Sequence, residues 1–191
     1  MDEKKVNRAI TRIAHEILEH NTDTSSLVII GVITRGAFLA KRLAKIIKEL
    51  EGIDIPVGLM DIGLYRDDIH SNSDQPIVQQ TDILFSVVDK NVILVDDVLF
   101  TGRTVRAALN QIVDFGRPST IQLAVLIDRG HRELPIKADY VGVNIPTSKD
   151  DQVLLHVKEK EKSDKVSLIK GQKKKAAKKK TSAQKTKGGK K

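Results

Sequence analysis

Cysteine is absent, which excludes disulfides and thiolate metal sites and suits a reducing compartment. Aromatic residues make up only 3% of the chain, so any core must be aliphatic, built from Val, Ile, Leu and Ala. No apolar run approaches the roughly 20 residues needed to span a bilayer. The opening stretch Met1–Ile10 is charged and lacks the apolar region of a signal peptide. A cytoplasmic protein without a membrane partner is therefore expected. The five histidines, His15, His20, His70, His131 and His156, are scattered without ligand spacing, so no metal cage made only of protein groups is expected. Internal repeats are lacking. Acids are missing from one place: Lys170–Lys191 holds 11 lysines and no Asp or Glu. That stretch explains the formal charge of +8, because the rest sets 22 basic against 25 acidic residues. The body is a mildly acidic domain with a basic tail.

What remains, within 191 residues, is enough for one domain with a real core. Val6, Ile10, Ile13 and Ile17 recur at helical spacing and predict a helix over 3–20, with Arg8, Arg12 and His15 on its other side. Ser26–Ile33 reads as a buried strand, Thr34–Gly36 as a turn, and the following residues to about Leu50 as a helix with Phe38, Leu39, Leu43, Ile46 and Ile47 inward. Further strands are predicted at 55–65, Val92–Val95, Ser119–Ile127, Ala138–Val143 and Val153–Val157, with a helix over Thr104–Phe115. Residues 66–82 have no periodicity and read as a long mobile loop. The alternation predicts an α/β fold: an open, mainly parallel twisted sheet flanked by helices. From Glu159 the composition shifts to Lys, Glu and Ser and then to Lys, Ala, Gly and Thr. The expected division is a domain over 1–158 and a disordered lysine-rich tail over 159–191.

Residues 92–104 carry the chemistry. A buried strand delivers Asp96 and Asp97 to its carboxyl end, where ligands bind in open α/β sheets. A short loop, Val98 to Arg103 with Leu99, Phe100, Thr101 and Gly102, then opens a helix at Thr104. Backbone N–H groups at such a start make an anion site, and Gly102 turns there without a Cβ clash. Acids beside an anion site suit one ligand, a phosphorylated sugar: its phosphate takes the N–H groups and its hydroxyls take the carboxylates. If the sugar's C1 departs as a cation, the carboxylates also stabilise the transition state. The missing Gly-Lys-Ser/Thr excludes a nucleotide P-loop. Taken alone, Thr34-Arg35-Gly36 reads as an ordinary strand-to-helix turn with Arg35 solvated.

The stretch 92–104 resembles the 5-phosphoribosyl 1-pyrophosphate (PRPP) motif of type I phosphoribosyltransferases. The likeness runs through Ala9–Glu16, Thr34–Gly36, Leu64–Asp68, Gly116–Ser119, Asp128–Pro135 and Asn144–Lys149 and covers roughly residues 5–157, and this set of motifs resembles the PyrR family of bifunctional pyrimidine operon attenuators and uracil phosphoribosyltransferases. The resemblance implies conversion of uracil and PRPP to UMP and diphosphate. Catalytic roles fall to Asp96, Asp97 and Arg35, and substrate contacts to Thr34, Arg35, Gly36, Arg66, Arg129 and residues 96–104. Loop 66–82 becomes a lid that excludes water. Mg²⁺ is implied as a companion of PRPP, possible near Asp96 and Asp97. Arg129 stands between a base-pocket and a structural role. The alternatives are a phosphoribosyltransferase for another base, or a dedicated RNA-binding regulator with vestigial catalysis.

The resemblance also implies binding of a structured mRNA leader, a response to the uridine nucleotides UMP and UTP, and a homodimer or higher homo-oligomer. The matching RNA-surface residues are Thr11, Arg12 and His15 on the first helix and His131, Arg132 and Lys137 after the fourth strand. Thr11 and His15 share a helix face, which without the resemblance reads as a solvated surface. The chain departs from the family at Lys137, where Arg is frequent, and at Val143, where Lys is frequent. Ser71–Gln80 also lacks lysines. The tail is expected either to supply non-specific attraction for polyanions or to be a solubility tail or an idiosyncratic extension.

Overall fold

The structure is a computed structural model that describes residues 1–63 and 80–171. The predicted lid falls largely outside the described residues, as do Arg66 and the lysine-rich stretch from 172 onward.

A five-stranded sheet forms the centre, ordered β2-β1-β3-β4-β5, with β1 at Leu27–Val32, β2 at Val57–Met60, β3 at Asn91–Leu99, β4 at Thr120–Asp128 and β5 at Tyr140–Asn144. All four pairings are parallel. The register sets Ile29 between Val57 and Ile93, and Leu94 against Leu123. Both faces are covered, which explains the unbroken apolar runs of β1 and β3. Ile29, Ile93 and Val95 face one cluster with the first two helices, α1 (Glu3–His20) and α2 (Arg35–Glu51). Val28, Ile30, Val92 and Leu94 face the other cluster, with α3 (Arg103–Phe115).

The helices follow their sequence signals. α1 buries Val6, Ala9, Ile10, Ile13, Ala14 and Ile17, and the Asp2 side chain caps it by accepting from Lys5 N–H. Among the described residues, no helix is long and apolar enough to cross a membrane. β3 is longer than expected and runs through both acids to Leu99, because β4 continues beside it and pairs Val98 with Ile127 and Leu99 with Asp128.

The domain boundary requires correction. Residues 159–171 are not a structureless tail. β6 (Gln152–His156), a single helical turn α4 (Lys158–Glu161) and β7 (Lys165–Ile169) form an antiparallel hairpin. Val153, Leu155, Val157 and Val166 join the core. Met1 locks β7 from the other terminus: its amino group donates to Val166 O at 2.9 Å, and Val166 N–H donates to Met1 O at 3.0 Å. The lysine content hid a short alternating strand and three acids that have arginine partners on α2.

Candidate active site

In the order 2-1-3-4-5 the direction of winding reverses between β1 and β3, and a crevice opens at the carboxyl ends of those two strands. The two sequence motifs meet there. Thr34, Arg35 and Gly36 leave β1 and start α2. A Cβ placed on Gly36 would lie 2.5 Å from Val95 O and 3.1 Å from Asp96 Cα. Glycine therefore lets the turn rest directly on the backbone of the acid-bearing strand. The Ile33–Thr34 peptide before it is cis.

Asp96 is buried, with 6% of its surface exposed, and Asp97 is half-buried. The carboxyl end of β3 thus covers Asp96 more fully than Asp97. Asp97 N–H donates to Asp96 Oδ1 at 2.8 Å, and Val98 N–H donates to Asp97 Oδ1 at 2.9 Å. Burial pushes the Asp97 carboxyl above its ordinary value, while the Asp96 contact and the nearby Arg35 charge oppose the rise.

Next to Asp96 a cavity of about 310 Å³ is lined by Val98–Val105 and Glu133. Its floor is the start of α3. The first intrahelical bond there is Arg106 N–H to Gly102 O, 2.9 Å, and Arg103 N–H donates to Thr101 Oγ1 at 3.3 Å, so the N–H groups of residues 104 and 105 lie before the ladder and are positioned for an anion. Gly102 takes φ +93°, a left-handed conformation that side chains resist. A Cβ there would crowd Ile136 Cδ1 at 3.3 Å and Leu134 Cβ at 3.4 Å. The glycine is required by the bend and by the loop behind it.

That loop, 129–139, braces the anion site. Glu133 and Leu134 N–H donate to Thr101 O at 2.9 and 3.2 Å, and Arg103 Nε pairs with Glu133 at 2.7 Å. Arg132 donates to the carbonyls of Ile136 and Phe100, each at 2.9 Å, and pairs with Asp128. His131 Nε2 lies 2.6 Å from Thr147 O. Arg129 is 7% exposed. Its guanidinium stacks 4.0 Å over the Phe100 ring and donates to Thr147 Oγ1 and Ser148 O. The structure gives Arg129 a supporting place behind Phe100, off the cavity lining.

The RNA candidates divide. Thr11, Arg12 and His15 border one open groove of about 800 Å³ on α1, with Lys4 and Arg8 beside them. Lys137 is exposed elsewhere, next to His20, Gln122 and Tyr140. His131 and Arg132 spend their hydrogen bonds on the chain itself. Sequence reasoning missed Glu133 and Glu161, which reach Arg103 and Arg35 across large separations; the acids were visible, their partners were not.

Residues 2–162 match the family model of the phosphoribosyl transferase domain. The Bifunctional protein PyrR of Deinococcus radiodurans is 56% identical over 165 residues, covering 86% of this chain and 90% of that protein. That of Bacillus subtilis is 53% identical over 170 residues, covering 88% and 94%. Among solved structures, a hypoxanthine phosphoribosyltransferase of Trypanosoma cruzi superposes with a TM-score of 0.67 at 18% identity, covering 90% of this chain and 95% of that one. One from Staphylococcus aureus gives 0.60 at 21% identity, covering 76% of each. The structural likenesses speak for the fold.

Proposed function

The chain belongs to the phosphoribosyl transferase domain family and, within it, to the bifunctional PyrR proteins, and from that premise we propose how its site works. The reaction is uracil plus PRPP giving UMP plus diphosphate, in a protein that also regulates a pyrimidine operon through its RNA. The observation that carries the assignment is the packing of Gly36 on Val95 and Asp96 beside the helix start at Gly102. Diphosphate-directed and phosphate-directed groups thereby flank one pair of carboxylates.

In this reading the 5-phosphate of PRPP takes the N–H groups of residues 104 and 105 and the hydroxyls of Thr101 and Thr104, with Arg103 N–H holding the Thr101 hydroxyl in place. Asp96 and Asp97 accept from the ribose hydroxyls. As the C1–O bond to diphosphate lengthens, positive charge develops on the sugar and the two carboxylates stabilise it. Arg35 and the Thr34 turn receive the departing diphosphate, for which a planar guanidinium fork is well matched. The base nitrogen then bonds to C1 and releases its N–H proton, as the C1–O electron pair leaves with the diphosphate. Arg66 remains a candidate contact outside the described residues, and Arg129 serves by holding Phe100.

Among the described residues no three His, Cys, Asp or Glu gather into a metal cage. Two carboxylates with few other donors suit Mg²⁺ carried on substrate phosphates, as that ion prefers. It would offset the charge of the leaving diphosphate, with Asp96 and Asp97 as the adjacent protein oxygens. The proposal further includes a cytoplasmic location, response to UMP and UTP, a homodimer or larger assembly, and an RNA surface centred on Thr11, Arg12 and His15 with Lys137.

The test is product formation from PRPP with uracil, hypoxanthine, guanine and adenine in parallel. UMP is expected as the main product. Turnover of a purine in preference to uracil would reject the base assignment while keeping the transfer chemistry.

A further inference from the structure

The hairpin whose second half the composition disguised as tail reaches the active-site turn at Arg35. Glu161, at the end of α4, accepts from Arg35 Nη2 through Oε1 at 2.7 Å. Its other oxygen, Oε2, accepts from Val157 N–H at 2.9 Å. Both carboxylate oxygens are thus engaged, and the head group is fixed. The turn carrying it is fixed too: Arg42 on α2 pairs with Glu159 and Asp164 on either side of Glu161. Lys158 N–H also donates to Asp164 Oδ1, at 2.8 Å.

Arg35 is the less fully satisfied partner. Its side chain is 31% exposed, and its Nε is buried with no hydrogen-bond partner among the described residues. A guanidinium has a planar fork of donors. Glu161 engages Nη2 and leaves Nε unmatched, in a crevice where Gly36 brings the same turn onto the acid strand. A buried donor without a partner is a costly arrangement unless a ligand completes it.

We propose that Glu161 is a positioning residue for phosphoribosyl transfer: it holds the Arg35 guanidinium ready for the diphosphate of PRPP. The inference rests on the transfer reading given above. An arginine free at this place has two disadvantages. It loses much side-chain entropy when a ligand finally orders it. It also feels Asp97, whose charge lies close enough to interact with it, and would turn toward that carboxylate. Glu161 removes both disadvantages from a rigid support, so the substrate meets a fork already aimed. The role is specific to the diphosphate end and leaves the base end alone.

The experiment uses the full chain with Glu161→Ala, Glu161→Gln, Arg35→Gln and the double variant Arg35→Gln/Glu161→Ala. Glu161→Ala should raise KM for PRPP about 10-fold, the scale of one charge-assisted contact. KM for uracil should stay within about twofold on the same scale. Glu161→Gln, which keeps an acceptor for Arg35, should recover part of the loss. In the Arg35→Gln background, removing Glu161 should add nothing, because the residue acts through Arg35. Calorimetric titration with inorganic diphosphate and Mg²⁺ should give the same ranking without turnover. That arm separates the two readings: a wild-type protein that makes no UMP rejects the base assignment, whereas the titration still reports on the pair. Several results overturn the proposal: an unchanged or lower KM for PRPP, an equal rise for both substrates, or additive losses in the double variant. If Glu161→Ala fails to fold, Glu161→Gln with unaltered diphosphate affinity and unaltered KM for PRPP does the same.

Discussion

Arg35 and Arg42 lie on one helix about two turns apart, and both reach acids of the same hairpin, yet they are different kinds of residue. Arg42 is 14% exposed and lies between two carboxylates: Nε and Nη2 go to Glu159, Nη1 and Nη2 to Asp164. Its charged form is strongly favoured despite burial, because the two carboxylates accept the hydrogen bonds it offers. Arg35 has one carboxylate contact and an unmatched Nε. The lesson is a criterion: an arginine with every guanidinium nitrogen engaged by its own chain holds structure, and one with a nitrogen left over is available to a ligand. Arg132, tied to four carbonyls and Asp128, falls on the structural side.

Breaking the saturated cluster should have the largest effect. The Asp164 side chain has no exposure. Burial works against its charge, but Arg42 and Lys158 N–H outweigh that and hold the carboxyl below its ordinary value. Asp164→Asn should cost about 3–5 kcal/mol, the range for removing one partner of a buried pair, read from chemical denaturation. A carboxyl with a depressed folded value stabilises above its unfolded value, about 3.9, and the contribution disappears as pH falls through the folded value. The wild-type advantage over Asp164→Asn should therefore be present at pH 7 and shrink in acid. A loss below about 1 kcal/mol at pH 7, the scale of an exposed pair, would show that the cluster is not what holds the hairpin.

Asp97→Asn tests the other side of the comparison, where charge serves chemistry at the expense of stability. Turnover should fall by about 10²-fold or more, the scale of one preorganised electrostatic contact. The fold should gain. The Asp97 carboxyl is pushed up chiefly by burial, so its stabilising contribution is complete below about 3.9 and is lost as pH rises through the raised value. Thermal midpoints should place the Asn variant above wild type at pH 7, with the gap closing toward pH 4. A variant that is less stable at neutral pH and equally active would reverse the assignment.

The two arginines also mark how far the sequence could be read. Elements built from local periodicity were legible: the α1 stripe from Val6 to Ile17, the apolar runs of β1 and β3, and the acids and glycine that open α3. The meeting of Gly36 with Val95 and Asp96 was not, because contact across a parallel sheet depends on register and leaves no local pattern. Arg42 with Asp164 and Arg35 with Glu161 are hidden for a related reason. In a lysine-rich segment an acid looks like solvated surface until its partner is known. The first strand of the hairpin was legible in the alternation of Val153, Leu155 and Val157; Val166 and Leu168 were the available signal for its partner, and the charge composition overrode them.

Arg132→Gln should show a structural effect of middle size. Its guanidinium ties 128–136 to Phe100 at the anion loop, so stability should drop by about 2 kcal/mol, typical of hydrogen bonds to a charged group. Turnover should fall with it, since Thr101 loses its backing. Reduced RNA affinity with intact stability and uracil conversion would instead return Arg132 to the RNA surface.

Arg12 is the intermediate case, and its substitution should have the smallest effect on the fold. Nη2 donates to the carbonyls of Val141 and Gly142 at 2.9 and 2.7 Å on the edge strand β5, and Nη1 pairs with Glu16. Half of the side chain is nevertheless exposed, in the groove it shares with Lys4, Arg8, Thr11 and His15. By the same criterion it has both an anchor and a free side. Exposed contacts of this kind are worth little, so Arg12→Gln should change stability by less than about 1 kcal/mol. Uracil conversion should persist, because the active-site crevice is formed by other elements. The RNA measurement is the decisive one. If the exposed side meets a phosphate of the operon leader, the slope of log affinity against log salt should become shallower by about 0.7–0.9, one phosphate's share. An unrelated RNA held mainly by the lysine-rich stretch should lose less. An unchanged slope for the leader would mean that Arg12 is a brace for β5, structural in the way Arg42 is, and that the RNA surface lies on another face of the domain.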